Sequence, residues 1–138
     1  MQPPEDVARD LARQWLKKAA SDLLVCEQLT RPEGALSEAV AFHAQQAAEK
    51  SLKALLVWRQ VEFPKTHDLE RLLELAGEGD EALAESLRDA PELTPYGVEY
   101  RYPGEYPPVT GQAAASSVAI ARTVYDEVVE RLPEGVRL

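Results

Sequence analysis

Polar side chains that could bind an anion recur along one edge of the second predicted helix. Spacing of i, i+3, i+7 and i+10 places His43, Gln46, Lys50 and Lys53 on one strip of that helix. An imidazole, an amide and two ammonium groups together can hold a phosphate or another anion. The other interpretation is that Lys50 and Lys53 lie on the solvated side of an amphipathic helix and that Glu49 pairs with Lys53 at i, i+4, since charged helix faces are common.

An acidic residue, Asp22, interrupts the apolar face of the first predicted helix, where Cys26 and Leu29 share its side. A carboxylate buried there needs a partner. Helix two offers His43 and Lys50 at the border of its own apolar face. We predict a structural polar contact that fixes the register of the two helices, and catalysis by this acid and one base is the second interpretation.

The other histidine, His67, falls at the start of the third predicted helix, between Thr66 and Asp68. Side chains that cap a helix are common at such a helix start, so one interpretation is that His67 simply stands next to the capping residue. Lys65 adds a cation beside a helix N-terminus, which is suited to anions. The alternative is therefore that His67 contacts a ligand or a partner.

The elements that must position these residues are helices. Helical spacing of apolar residues runs from about 5 to 30, 35 to 60, 66 or 68 to 77, 81 to 90, and 110 to 132. No segment alternates with a period of two for long enough to form a sheet. The predicted fold is an all-α, up-and-down bundle of about five helices in a single domain spanning 1–138.

Residues 91–108, between the fourth and the last helix, are rich in proline and tyrosine and sustain neither a helical nor an alternating period. We refer to them as the Pro/Tyr segment. We predict that this segment is an ordered aromatic loop lying over one end of the bundle.

Composition and charge narrow the classes of function. The chain has 138 residues, of which 45% are apolar and 28% charged, and a formal net charge of −9. This acidity argues against binding of duplex DNA through its phosphates. One cysteine, no N-terminal signal pattern and no apolar run of membrane-spanning length predict a cytoplasmic protein that does not bind a membrane. Metal-ligand spacings and glycine-rich phosphate loops are missing, so the sequence predicts no metal and no cofactor.

Three stretches together resemble a known family. Residues 42–56 read Phe-His-Ala-Gln-Gln-Ala-Ala-Glu-Lys-Ser-Leu-Lys-Ala-Leu-Leu, residues 63–69 read Phe-Pro-Lys-Thr-His-Asp-Leu, and residues 100–104 read Tyr-Arg-Tyr-Pro-Gly. These are similar to the small prokaryotic HEPN domains (higher eukaryote and prokaryote nucleotide-binding). The resemblance implies a bundle of about five helices, a homodimer, and a partner that is a minimal nucleotidyltransferase. It also implies a two-component system of the toxin and antitoxin kind.

Some HEPN domains resemble one another in a ribonuclease motif, an Arg followed after four to six residues by a His near the start of the last long helix. The matching position here is Arg101, but no histidine follows it, and Tyr106 stands at the shortest spacing. Without the imidazole, metal-free RNA cleavage lacks its general base. The resemblance therefore favours a binding protein with no catalytic residue.

The predicted binding site for a nucleotide or a partner combines the polar edge of helix two with the Pro/Tyr segment. Its members are His43, Gln46, Lys50, His67, Arg101, Tyr102 and Tyr106. Arginine supplies a planar donor fork and tyrosine a stacking face, which suits a nucleotide, an RNA or an acidic loop of a partner. The alternative is a ribonuclease toxin with a displaced active site built from Arg101, Tyr106 and either His43 or His67 across a dimer.

Overall fold

A computed structural model describes residues 4–138, with the side chain of Arg101 left out of the description. The helices are α1 (Glu5–Leu29), α2 (Ser37–Trp58), α3 (Leu69–Gly77), α4 (Glu81–Ser86), α5 (Thr94–Val98) and α6 (Gly111–Arg131). Two short 3-10 helices, Ala90–Leu93 and Glu99–Arg101, flank α5. No strand occurs in this part of the chain, so the predicted all-α helical bundle is confirmed.

Helix α1 begins with Glu5 and Asp6 in its first turn, where acids complement the positive end of the helix dipole. Its buried stripe repeats every three or four residues and consists of Ala8, Ala12, Leu16, Ala19, Asp22, Leu23 and Cys26. The helix ends where Thr30 turns to an extended conformation while its N–H still bonds to the Cys26 carbonyl. The stripe packs against α2.

Helix α2 is the centre of the bundle and is buried around most of its circumference. It packs against α1 on one side, α6 on another, and α3 and α5 on the rest. Alanines supply many of its contacts, which lets neighbouring helices approach closely. The predicted i, i+4 pair of Glu49 and Lys53 is confirmed, but its placement on a solvated side of the helix is wrong, because both side chains are buried.

Two helices begin close to their predicted starts and are capped by side chains. The Asp68 side chain accepts a hydrogen bond from the Glu70 N–H at the start of α3. Thr110 accepts one from the Ala113 N–H at the start of α6. Each cap satisfies a backbone donor that the first turn of a helix leaves without a partner.

The prediction of a non-helical loop over residues 91–108 is wrong for its first half. Pro91 and Pro95 each stand at the first or second position of a short helix, where a missing N–H costs nothing. Helix α4 also ends earlier than expected, at Ser86. From Tyr102 to Pro108 the Pro/Tyr segment has no helix, as predicted.

No helix among residues 4–138 is long and apolar enough to cross a membrane.

Candidate functional site

Asp22 is buried between α1 and α2, and both of its predicted partners bind it at once. His43 Nδ1 lies 2.9 Å from Asp22 Oδ1, and Lys50 Nζ lies 2.7 Å from Asp22 Oδ2. The Asp22 side chain is 10% exposed. This three-residue contact, which we call the Asp22 cluster, joins the two helices and neutralises the lysine charge.

A second buried carboxylate, Glu49, organises the other end of the polar strip. His67 Nδ1 lies 2.8 Å from Glu49 Oε1, and Lys53 Nζ donates to Glu49 Oε2 at 3.0 Å. Gln45 Nε2 donates to Glu49 Oε1 at 3.1 Å. Burial by itself would raise the pKa of Glu49, but hydrogen bonds from Gln45, Lys53 and His67 outweigh it and lower that pKa. Glu49 is therefore an anion at neutral pH, and we call these four residues the Glu49 cluster.

Aromatic rings enclose the lysine of the Glu49 cluster. Lys53 Nζ lies 5.4 Å from the centre of the Trp15 ring and 5.9 Å from that of Phe63. Ring faces attract cations, which favours an ammonium group that has lost most of its water. Lys53 is therefore held inside the bundle and is not available to an anionic ligand.

A chain of amides ties the Glu49 cluster to the Pro/Tyr segment. Gln46 Nε2 donates to Gln45 Oε1 at 2.7 Å, and Gln45 Nε2 also donates to the His67 carbonyl at 3.3 Å. Gln45 is fully buried, and Gly97 of α5 lies directly on it. A Cβ at Gly97 would come within 2.4 Å of the Gln45 side chain. Only glycine allows α5 this close to α2.

His67 lines an open groove of about 640 Å³ between the start of α3 and helix α5. We call it the His67 groove; its walls are Lys65, Thr66, His67, Asp68, Glu70, Pro91, Thr94, Pro95, Val98 and Glu99. The imidazole is 51% exposed, although its partner Glu49 is 4% exposed. A half-open histidine oriented by a buried carboxylate is an arrangement that can bind a ligand or transfer a proton.

The tyrosines of the Pro/Tyr segment mainly contact one another. The Tyr100 ring centre lies 4.2 Å from that of Tyr106 and 5.1 Å from that of Tyr96. The Tyr106 hydroxyl donates to the Tyr102 carbonyl at 3.0 Å, which closes the segment on itself. Tyr102 is 64% exposed.

The predicted site residues do not form one site, because the structure places them in separate groups. His43 and Lys50 belong to the Asp22 cluster, whereas Gln46 and His67 connect to the Glu49 cluster. Within the described residues, neither Tyr102 nor Tyr106 forms a hydrogen bond or ring contact with these four residues. The side chain of Arg101 lies outside the described residues.

Two residues at the centre of the polar arrangement, Gln45 and Glu49, are not among the predicted site residues. The signal that could have found Glu49 is its position in a helix whose alanines and leucines occupy almost every side. Such a helix leaves no solvated face for a charged pair. No three His, Cys, Asp or Glu side chains among residues 4–138 form a group that could hold a metal ion.

Comparison with known families agrees with this fold. The family model described as HEPN domain matches residues 12–132, which is most of the chain. The chain therefore belongs to the HEPN domain family, and the predicted resemblance is confirmed. Membership supports the general class of helical nucleotide- or RNA-binding domains.

Comparison with curated proteins and with solved structures found no match.

Proposed function

We propose that this HEPN domain is a non-enzymatic binding subunit: a homodimer that docks a minimal nucleotidyltransferase and holds a nucleotide. One observation carries the proposal. Three of the polar residues expected to do chemistry, His43, Lys50 and Lys53, are each paired with a buried carboxylate, so they stabilise the bundle. Because no histidine follows Arg101, the ribonuclease motif also lacks its base.

Exposed apolar side chains support the association of this chain with other chains. Val7 and Leu11 lie one turn apart on α1 and are 49% and 44% exposed. Neighbouring exposed apolar residues of this kind are typical of a protein interface. Tyr102, the exposed aromatic residue beside Arg101, has the character of an interface anchor. We assign the α1 pair to the homodimer and Tyr102 to the nucleotidyltransferase.

Co-expression with a minimal nucleotidyltransferase, followed by size exclusion with light scattering, tests the proposal. We expect the chain alone to be a dimer and the mixture to form a larger complex that contains two copies of it. Leu11→Arg should yield a monomer, whereas Tyr102→Ala should weaken the mixed complex and leave the dimer intact. Gln28→Ala, an exposed change on α1, is the matched control. A monomeric wild-type chain at micromolar concentration, or no mixed complex, contradicts the proposal.

One observation favours the second candidate, a ribonuclease toxin. His67 is half exposed and oriented by Glu49, as a general base would be. The acidic residues around it, Asp68, Glu70 and Glu99, oppose an RNA backbone. Incubation of purified protein with RNA decides between the two: we expect no cleavage, and cleavage lost in both Arg101→Ala and His67→Gln would establish the toxin instead.

A further inference from the structure

The His67 groove differs from an ordinary phosphate site, because three N–H groups at the start of α3 are already occupied. Asp68 N–H donates to Thr66 Oγ1 at 3.0 Å, Leu69 N–H to Thr94 Oγ1 at 3.1 Å, and Glu70 N–H to Asp68 Oδ1 at 3.0 Å. These three amides are therefore not free to bind a phosphate. The helix N-terminus is therefore not what a ligand in this groove would recognise.

The charges around the groove also disfavour a phosphate ligand. Its walls carry three carboxylates, on Asp68, Glu70 and Glu99, and one ammonium group, on Lys65. A ligand with several phosphates would meet net negative charge, which disfavours its approach. A neutral ligand, in contrast, is not repelled by these carboxylates.

The Glu49 cluster determines how His67 can take part in recognition. The ionised Glu49 accepts from Nδ1, so that nitrogen carries the proton. In the neutral imidazole the other ring nitrogen, Nε2, is then an acceptor. Lys53 already balances the charge of Glu49. The groove thus contains one oriented acceptor for an N–H or O–H donor.

The remaining walls add apolar contact. Pro91, Pro95 and Val98 line the groove, and Val98 is 42% exposed. The groove thus combines these apolar contacts with polar and charged side chains, and its volume of about 640 Å³ is in the range of small-molecule sites. A flat ring system bearing donors matches this combination better than a phosphate chain does.

We infer that the His67 groove binds the base of a nucleoside, a neutral heteroaromatic ring with N–H donors, and that His67 Nε2 accepts one of those donors. The inference takes the class of ligand, a nucleotide, from the proposed function. It adds to that function the place where the base of the nucleotide binds. Glu49 is a positioning residue in this site, since it orients the imidazole and touches no ligand. The groove discriminates against polyphosphates, so adenosine binds more tightly than ATP.

Titration of adenosine and of ATP into the full-length protein, by calorimetry, tests the inference. We expect adenosine to bind with one site per chain and ATP to bind about tenfold more weakly. His67→Gln should weaken adenosine binding about tenfold, and Val98→Glu should weaken it further by replacing an apolar contact with a larger side chain that fills the groove. Leu24→Glu adds the same charge at another exposed apolar residue, 55% exposed on α1, and should bind as wild type does.

Nitrogen NMR gives a second readout, because the chain has only two histidines. Adenosine should shift the Nε2 signal of His67 and leave that of His43 in place. No adenosine binding, tighter binding of ATP, wild-type affinity in both groove variants, or a shift at His43 alone would each overturn the inference. The nucleotidyltransferase complex is measured separately, so its survival alongside a failed titration would reject the groove and retain the proposed function.

Discussion

Lys50 Nζ lies 2.7 Å from Asp22 Oδ2, across the interface between α1 and α2. The carboxylate has a second partner in His43, so removing it leaves both a lysine and an imidazole without an acceptor. Side chains in this contact are 10% to 29% exposed, and water replaces the lost partner only in part.

Asp22→Ala should therefore lower the free energy of unfolding by about 3 kcal/mol. Urea denaturation monitored by circular dichroism measures the change. Asp10→Ala, an exposed acid on the same helix, is the control and should change stability by less than about 0.5 kcal/mol. An Asp22→Ala variant as stable as the control would mean that water solvates the carboxylate in solution.

Removal of Glu49 should destabilise the protein more than removal of Asp22 does, because it leaves Lys53 charged and buried. We expect Glu49→Ala to lower the free energy of unfolding by about 4 kcal/mol. A Glu49→Leu, Lys53→Met double variant removes both charges and should recover a substantial part of that loss. Denaturation of the two variants side by side makes the comparison, and a double variant less stable than Glu49→Ala would disprove the account of the buried pair.

Gly97→Ala should destabilise the contact between α5 and α2. Its new Cβ would lie 2.4 Å from Gln45, and hydrogen bonds to Gln46, Glu49 and the His67 carbonyl hold the Gln45 amide in place. We expect a loss of about 2 kcal/mol, measured by thermal unfolding.

Gly104→Ala is the matched control for this substitution, since a Cβ there would lie 3.6 Å from the Tyr106 ring, at ordinary contact distance. Equal melting temperatures for the two glycine variants would show that Gln45 moves aside.

The stability of the protein should fall in acid partly through Asp80. Hydrogen bonds from Arg131, and then from the Leu83 N–H and Arg59, outweigh desolvation and lower the pKa of Asp80 to about 2. A carboxyl group whose pKa is lower in the folded state adds stability above its unfolded pKa of about 3.9 and loses it as the pH falls toward 2.

Because these side chains are 19% to 30% exposed, solvent screening reduces the contribution to about 1 kcal/mol. Asp80→Asn should be less stable than wild type at pH 7 and equal to it near pH 2, in urea titrations at a series of pH values. A stability gap that stays constant between those two pH values would rule out this linkage.

Cys26 should be unreactive while the protein is folded. Burial, and then the nearby Asp22 carboxylate, raise the pKa of its thiol to about 11, and Sγ donates to the Val40 carbonyl at 3.4 Å. The thiolate is the reactive form, so a disulfide reagent at pH 8 should label the protein only after urea is added. Labelling is unambiguous, since Cys26 is the sole cysteine. Rapid labelling of the native protein would show that α1 opens locally.

The sequence by itself determined the long helices, because helix formation depends on residues close together in the chain. Periodic alanines and leucines predicted α1, α2 and α6, and α3 and α6 begin close to where the pattern placed them. The pairing of Asp22 with helix two was also predictable, since a lone acid on an apolar face requires a partner from the helix that covers it.

Only the tertiary structure decided which polar residues are buried. Glu49 and Lys53 have the spacing of a surface pair, and only the apolar residues around them in α2 indicate otherwise. Their burial follows from α2 being surrounded by α1, α6, α3 and α5, an arrangement of segments far apart in sequence. His67 meets Glu49 for the same reason, across 18 positions of the chain. Contacts between distant segments depend on how whole helices pack, and periodicity within one helix carries no record of its neighbours.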